Sequence, residues 1–294
     1  MRIFTSVLSR LAAGLTLGLS LLGSAGAQNG EAQLSETISR VENTLGARVG
    51  IVIRDTGSDW TWSHRAGERF LMNSTVKTVI CGGILAKVDE GALTLDEALP
   101  IRQFDIVSYS PVTQKHVGKT MSIGDLCLAT LDISDNAAAN LLIGRQGGPE
   151  AVTAFLRRIG DPISRLDRLE PKLNTFEPGD PRDTTTPEAM VETWETLLLG
   201  DALTSASRAK LAAWMSHGGV TGALLRSSLP QGWAVSDKSG AGSHTRNIVA
   251  MVTPPSRAPW LVSIFISDAD VDFETRNAAL KDIGAAVAGV LESR

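Results

Sequence analysis

Asn247-Ile248-Val249-Ala250-Met251-Val252-Thr253 and, after the spacer Pro254 to Pro259, Trp260-Leu261-Val262-Ser263-Ile264-Phe265-Ile266-Ser267 are two apolar, β-branched runs joined by a short polar link. Such runs bounded by Pro, Gly and Ser read as strands, and a short link between them reads as a hairpin. Trp233 to Asp237 lies upstream across the spacer Gly240 to Thr245, and Arg48 to Arg54 adds a strand near the start of the chain. Between these ends the period changes. Val76, Val79, Ile80, Gly83, Ile84 and Val88, then Leu141, Leu142, Val152, Phe155, Leu156 and Ile159, recur at helical intervals. Amphipathic segments at Leu34 to Leu45 and Thr275 to Leu291 flank the strands. The chain leaves an antiparallel sheet, builds a helical lobe and returns to finish the sheet. That is an α+β architecture with a cleft where the lobes meet.

The 294 residues, 43% hydrophobic and 20% charged, suit one large globular unit. A net charge of −4 without a run of lysines and arginines excludes a phosphate-tracking surface, so nucleic acid is not an expected partner. Arg2 and Arg10, the apolar stretch Leu11 to Leu22 and Ala25-Gly26-Ala27 have the order of a secretory signal, with cleavage expected after Ala27 and a mature domain over 28–294. The competing reading is a buried N-terminal helix. The stretch is too short to span a membrane, and no cysteine follows it to carry lipid. The mature chain is expected to be soluble, exported to the periplasm and monomeric. Cys81 and Cys127 are the only cysteines. In an exported chain an even pair fits a disulfide, and two buried free thiols fit equally. His64, His116, His217 and His244 are scattered without ligand spacing, so neither metal nor cofactor is expected.

One stretch lacks a period altogether: Arg165 to Pro187 carries Pro171, Pro178, Gly179, Pro181 and Pro187 among many charges. It reads as a long loop, and long ordered loops in compact domains tend to carry function.

Four short constellations could carry chemistry. Ser74-Thr75-Val76-Lys77 opens an apolar helix and sets Ser74 and Lys77 on one face. A serine hydroxyl needs a base, which a partly desolvated amine supplies, and helix-start N–H groups can receive negative charge. Ser134-Asp135-Asn136 precedes the helical run Ala137 to Ile143 and reads equally as an N-cap. Lys238-Ser239-Gly240 ends a strand, where lysine and hydroxyl can hold a carboxylate; its plain reading is a solvated turn. Arg168-Leu169-Glu170-Pro171-Lys172-Leu173-Asn174, inside the long loop, places Glu170 and Asn174 to hold and deprotonate a water; its plain reading is a surface ion pair.

Each motif is weak alone, but their order, Ser-x-x-Lys, Ser-Asp-Asn, loop glutamate, Lys-Ser-Gly, resembles the class A β-lactamases. The likeness runs from about residue 32 to residue 292. It extends to Tyr109-Ser110-Pro111-Val112, Thr184-Thr185-Thr186-Pro187 and Val220-Thr221-Gly222. It implies a five-stranded antiparallel sheet covered by N- and C-terminal helices, with an α/β lobe over 28–66 and 216–294 and an all-helical lobe over 67–215. It implies hydrolysis of β-lactams through Ser74, with Lys77 as proton partner and Ser134 protonating the leaving nitrogen. Asn136 then orients the substrate side chain, and Glu170 with Asn174 holds the hydrolytic water. The N–H groups of Ser74 and Ala241 form the oxyanion hole, while Lys238, Ser239 and Arg246, beside Gly240, bind the substrate carboxylate. Tyr109 lines the mouth, Arg168 pairs with Asp183, and Cys81 and Cys127 form a disulfide. Tyr-Ser-Pro-Val and Ser239 resemble the carbenicillin-hydrolysing subgroup, which commonly has arginine at the position of Lys238. The segment Lys238 to Arg246 is one residue shorter than usual. A D,D-peptidase lacks the loop glutamate, and a penicillin-binding sensor normally sits on a membrane module.

Overall fold

The computed structural model describes the backbone of residues 12–294 and the side chains from residue 26 onward. The first eleven residues of the expected signal therefore lie outside the described residues. Eight α-helices run α1 Ala12–Leu45, α2 Lys77–Asp89, α3 Ile123–Asp132, α4 Asn136–Gln146, α5 Pro149–Arg158, α6 Pro187–Leu198, α7 Ser205–Trp214 and α8 Phe273–Glu292 among the described residues. The main strands are β1 Arg48–Asp55, β2 Thr61–His64, β7 Ala234–Ala241, β8 Arg246–Thr253 and β9 Trp260–Ser267. Two small ribbons pair β3 Phe70–Leu71 with β6 Thr184–Thr185, and β4 Ala98–Pro100 with β5 Thr120–Ser122. Within the described residues no helix is long and apolar enough to cross a membrane.

The main sheet has the order β2-β1-β9-β8-β7 and is antiparallel throughout, as the sequence reading expected. Alternate residues of its central strands enter two different cores. Val49, Ile51 and Ile53 of β1, with Trp260, Val262, Ile264 and Ile266 of β9, pack under α1 and α8. Val52, Val249, Leu261 and Phe265 point the other way into the core of the helical lobe. Both faces are covered, which is why these strands read as continuous apolar runs rather than clean alternation.

Three elements differ from the sequence reading. Strand β7 runs to Ala241 rather than stopping near Asp237, because Lys238-Ser239-Gly240-Ala241 pairs residue by residue with Val249, Ile248, Asn247 and Arg246. The connection then closes within Gly242 to Thr245. The helix expected from Leu34 begins at Ala12. Third, α6 packs on the sheet against β1 and β9, so the helical segment contributes a layer to the sheet as well as to its own lobe.

The structure also corrects the pairing expected of Cys81 and Cys127: the disulfide is absent and both are buried free thiols. The Cys81 thiol faces the Cys127 carbonyl oxygen at 3.8 Å. Burial pushes the Cys127 thiol well above its ordinary value, with the adjacent Cys81 adding to the effect. A protonated thiol in this setting packs as a small apolar side chain.

Candidate active site

Ser74 lies in a 3-10 turn, Asn73–Val76, that feeds directly into α2 at Lys77. The turn is fixed by Asn73, whose φ of 50° is a conformation that Asn tolerates better than most residues. Its Oδ1 accepts hydrogen bonds from Thr245 Oγ1 (2.8 Å) and Asn247 Nδ2 (2.9 Å), and its Nδ2 donates to Asn174 Oδ1 (3.0 Å). One side chain thus joins the serine's turn to β8 and to the long loop. Gly240 lets β7 close on the same turn. A Cβ there would stand 2.9 Å from the Met72 carbonyl oxygen and 3.2 Å from the Ser74 nitrogen.

Beneath Ser74, the fully buried Lys77 amine meets Asn136 Oδ1 (2.6 Å), the Ser134 carbonyl (2.9 Å) and Oγ (3.3 Å), and Glu170 Oε1 (3.0 Å). An ammonium has three N–H donors for these four acceptors. Burial pushes the Lys77 amine below the ordinary lysine value, and the Glu170 charge opposes that shift. Glu170 Oε1 faces the amine at ion-pair distance without hydrogen-bond alignment, and is otherwise unpartnered. Its Oε2 accepts from Asn174 Nδ2 (2.6 Å). Asn140 clamps the backbone of Glu170 from both sides, accepting from its N–H (2.8 Å) and donating to its carbonyl (2.9 Å).

The Ser-Asp-Asn motif divides its labour. Asp135 is the N-cap of α4, accepting from the Ala138 N–H at 2.9 Å, and its buried carboxylate also binds the Val112 and Thr113 N–H groups at 2.9 Å each. Ser134 and Asn136 on either side face the cleft. Lys77 and Lys238 both donate to Ser134 Oγ, the latter at 3.1 Å, which leaves the hydroxyl hydrogen free to turn elsewhere. Burial drives the Lys238 amine well below the ordinary lysine value, and the neighbouring Lys77 and Arg246 charges push it further. Arg246 is lowered to about 10 by burial, with Arg276 adding repulsion. Its guanidinium donates to the Gly240 carbonyl (3.0 Å) and Asn277 Oδ1 (3.0 Å), and lies 5.3 Å from the Phe273 ring. Arg246 lines the cleft and Lys77 and Lys238 are buried beside it, so the basic groups gather on the side where an anionic ligand would lie.

The cleft measures about 300 Å³ and is lined by Ser74, Tyr109, Ser134, Asn136, Asn174, Ser239, Gly240, Ala241 and Arg246, all singled out from the sequence, together with Val220 and Phe273. Sequence reading missed Asn73, Asn140, Asn277 and Phe273. The three asparagines belong to no motif, and only the contact of Asn73 with Ser74 in sequence hinted at a role. Among the described residues no cluster of three His, Cys, Asp or Glu side chains could hold a metal ion.

The neck of the long loop is closed by Asp183, whose fully buried carboxylate takes Arg168 Nε at 2.5 Å and the N–H groups of Asp167 (2.7 Å) and Arg168 (3.0 Å). Asp167 returns the contact by accepting the Asp183 N–H at 3.0 Å.

Residues 33–291 match the model of the Beta-lactamase enzyme family. A solved ancestral class A β-lactamase superposes with a TM-score of 0.83 at 47% identity, covering 86% of this chain and 98% of the other. The chain belongs to the class A β-lactamases. A β-lactamase from Rhodobacter capsulatus is 58% identical to this enzyme over 99% of each chain. A solved β-lactamase of Xanthomonas campestris gives a TM-score of 0.85 at 44% identity, covering 90% of this chain and 98% of the other. The β-lactamase PSE-4 of Pseudomonas aeruginosa is more distant, at 41% identity over 89% of this chain and 91% of its own. This β-lactamase is a hydrolase of β-lactam rings, an activity that confers antibiotic resistance, and its class works through an acylated serine.

Proposed function

We propose that Ser74 is the serine acylated by the β-lactam carbonyl, and that the Lys77–Glu170 pair beneath it manages the protons of both half-reactions. The observation that carries this reading is the 3.0 Å contact of two fully buried, oppositely charged groups under Ser74, with Asn174 on the other oxygen of Glu170. With the two groups in contact, the proton leaving Ser74 Oγ is taken up by this pair. Ser74 Oγ bonds to the carbonyl carbon, and the C–N bond of the ring breaks. The ring nitrogen takes a proton from Ser134 Oγ, which the adjacent lysines resupply. The N–H groups of Ser74 and Ala241 receive the negative charge that builds on the carbonyl oxygen. In the second half, Glu170 accepts a proton from a water held with Asn174, the hydroxide adds to the ester carbonyl, and Ser74 leaves with a proton returned through Lys77.

Lys238, Ser239 and Arg246 hold the substrate carboxylate, Asn136 the side-chain amide, and Tyr109, which is more than half exposed, the mouth of the cleft. The narrower reading is a penicillinase that accepts carbenicillin. Ser239 and Tyr109-Ser110-Pro111-Val112 support it, as does the Arg246 guanidinium in the lining of the cleft. We further infer that residues 1–27 direct export to the periplasm, where the mature chain acts as a monomer.

Intact mass spectrometry of the purified mature protein during benzylpenicillin turnover tests the reading. The expected record is a brief penicilloyl adduct on Ser74, followed by return to the starting mass as penicillin is consumed. A lasting adduct makes the protein a penicillin-binding one, and neither adduct nor consumption removes Ser74 from the chemistry.

A further inference from the structure

We propose that Phe176 and His244 form a positioning pair that pins the long loop to the β7–β8 turn and keeps Glu170 and Asn174 aligned for deacylation. The inference rests on the roles given above to those two residues.

The two rings stack with centroids 4.8 Å apart and planes inclined by 25°. Phe176 follows Asn174 by two positions in the loop, and His244 sits in the tight turn after β7. The His244 ring is itself anchored. Ser243 Oγ lies 2.9 Å from Nδ1, Asp270 Oδ1 lies 3.4 Å from Nε2, and the His244 carbonyl accepts the Ala269 N–H at 3.1 Å. The stack therefore ties the loop to a fixed point at the end of the sheet.

The loop needs such a tie here. Among the described residues, hydrogen bonds of the segment from Thr175 to Pro181 reach only the loop's own residues. Arg168 donates to the Thr175 carbonyl (3.3 Å), the Asp180 N–H to the Glu177 carbonyl (3.1 Å), and Thr184 Oγ1 to the Pro181 carbonyl (2.6 Å). Below it lies a cavity of about 480 Å³, bounded across from the loop by Arg48, Glu68, Arg69 and Ser267. No packing from below replaces the stack. Beside the stack the turn already touches the loop: a Cβ on Gly242 would stand 3.0 Å from the Asn174 carbonyl oxygen. Losing either ring leaves Asn174, the residue that holds Glu170 Oε2, with its hydrogen bond to Asn73 but without the tie to the turn.

Ser74, Lys77 and Ser134 are held by α2, its leading turn and the start of α4, so the contact bears first on the loop side of the site, where Glu170 and Asn174 stand. The pair therefore acts most strongly on the second half-reaction, in which Glu170 and Asn174 together hold the water. An aromatic pair shifts a conformational equilibrium by about 2- to 12-fold, which sets the expected size of the effect.

The test is the lifetime of the benzylpenicillin acyl-enzyme, read by rapid quench and intact mass, in Phe176→Ala, His244→Ala and His244→Phe. The alanine variants are expected to lengthen it about 2- to 12-fold. kcat and KM should fall together, with kcat/KM changing less than the adduct lifetime. His244→Phe keeps a ring and is expected to restore the wild-type lifetime. A merely destabilised fold lowers the active fraction, so kcat falls at constant KM and the adduct lifetime stays put. That pattern, or an unchanged lifetime in both folded alanine variants, overturns the proposal. If the wild-type protein shows no adduct, the reading of the site fails first and the pair has no step to act on.

Discussion

Replacing Asp183 by Asn tests whether the neck of the loop is held by charge. The Asp183 φ of 57° favours Asn over Ala as the probe, because Asn tolerates that backbone conformation and Ala adds strain of its own. The substitution keeps one oxygen for the Asp167 and Arg168 N–H groups, but turns an NH₂ group toward Arg168 Nε, where the carboxylate now accepts at 2.5 Å. Arg168 is left with a guanidinium only 15% exposed, and Asp180 at 3.8 Å is a poor substitute partner. Breaking a buried pair by removing one charge costs about 3–5 kcal/mol, and the retained oxygen puts this case near about 3 kcal/mol. In a chain of this size each kcal/mol lowers Tm by about 2–4 °C, so the expected drop is about 6–12 °C by thermal denaturation. Where the loop opens ahead of the rest of the fold, part of the loss appears as a longer-lived acyl-enzyme. A Tm within about 1 °C of wild type, together with an unchanged adduct lifetime, refutes the argument that charge closes the loop.

Three further outcomes follow from the site. Glu170→Ala is expected to acylate and then stall, with the penicilloyl adduct persisting in the mass spectrum; turnover at the wild-type rate removes Glu170 from the mechanism. Because burial lowers the Lys238 amine, kcat/KM should begin to fall on the alkaline side below the ordinary lysine value of about 10.4, as loss of the proton strips positive charge from the carboxylate site. A pH profile flat to about 10 refutes that assignment, and Lys238→Arg should shift the limb upward. Gly240→Ala drives a methyl group to 2.9 Å from the Met72 carbonyl oxygen. It should cost about 1–3 kcal/mol of stability by denaturant unfolding, and displace the Ser74 turn enough to lower kcat.

The sheet was legible wherever the code is local. Trp260 to Ser267 is a strand with the bounds that its β-branched run predicts, since both faces of β9 are buried. The same logic hid the end of β7. Lys238-Ser239-Gly240 has low strand propensity, and it is held extended by its partner β8 rather than by its own side chains. The four motifs gave the groups to which the chemistry is assigned in the proposal, because nucleophile, base and acid must be particular residue types. Asn73, Asn140 and Asn277 escaped notice because they work by joining segments far apart in sequence, such as Asn73 with Thr245 and Asn247, and no local period records such a contact. The two cysteines show the opposite limit: their parity is readable, but whether the sulfurs are joined is a property of packing and redox history.

The C-terminal end of α8 lies against the middle of α1. Arg294 pairs with Glu31 at 2.5 Å, and Gly30 packs against the Ser293 side chain. In topological terms the stretch from Glu31 to Arg294 closes on itself like a ring, and the closure lies on the face of the sheet turned away from the cleft. A short linker joining these neighbours, with new ends opened at the exposed Pro255-Ser256 turn, keeps every covalent connection around Ser74 intact. The joint between α1 and α8 is thus separable from the place where the chemistry happens.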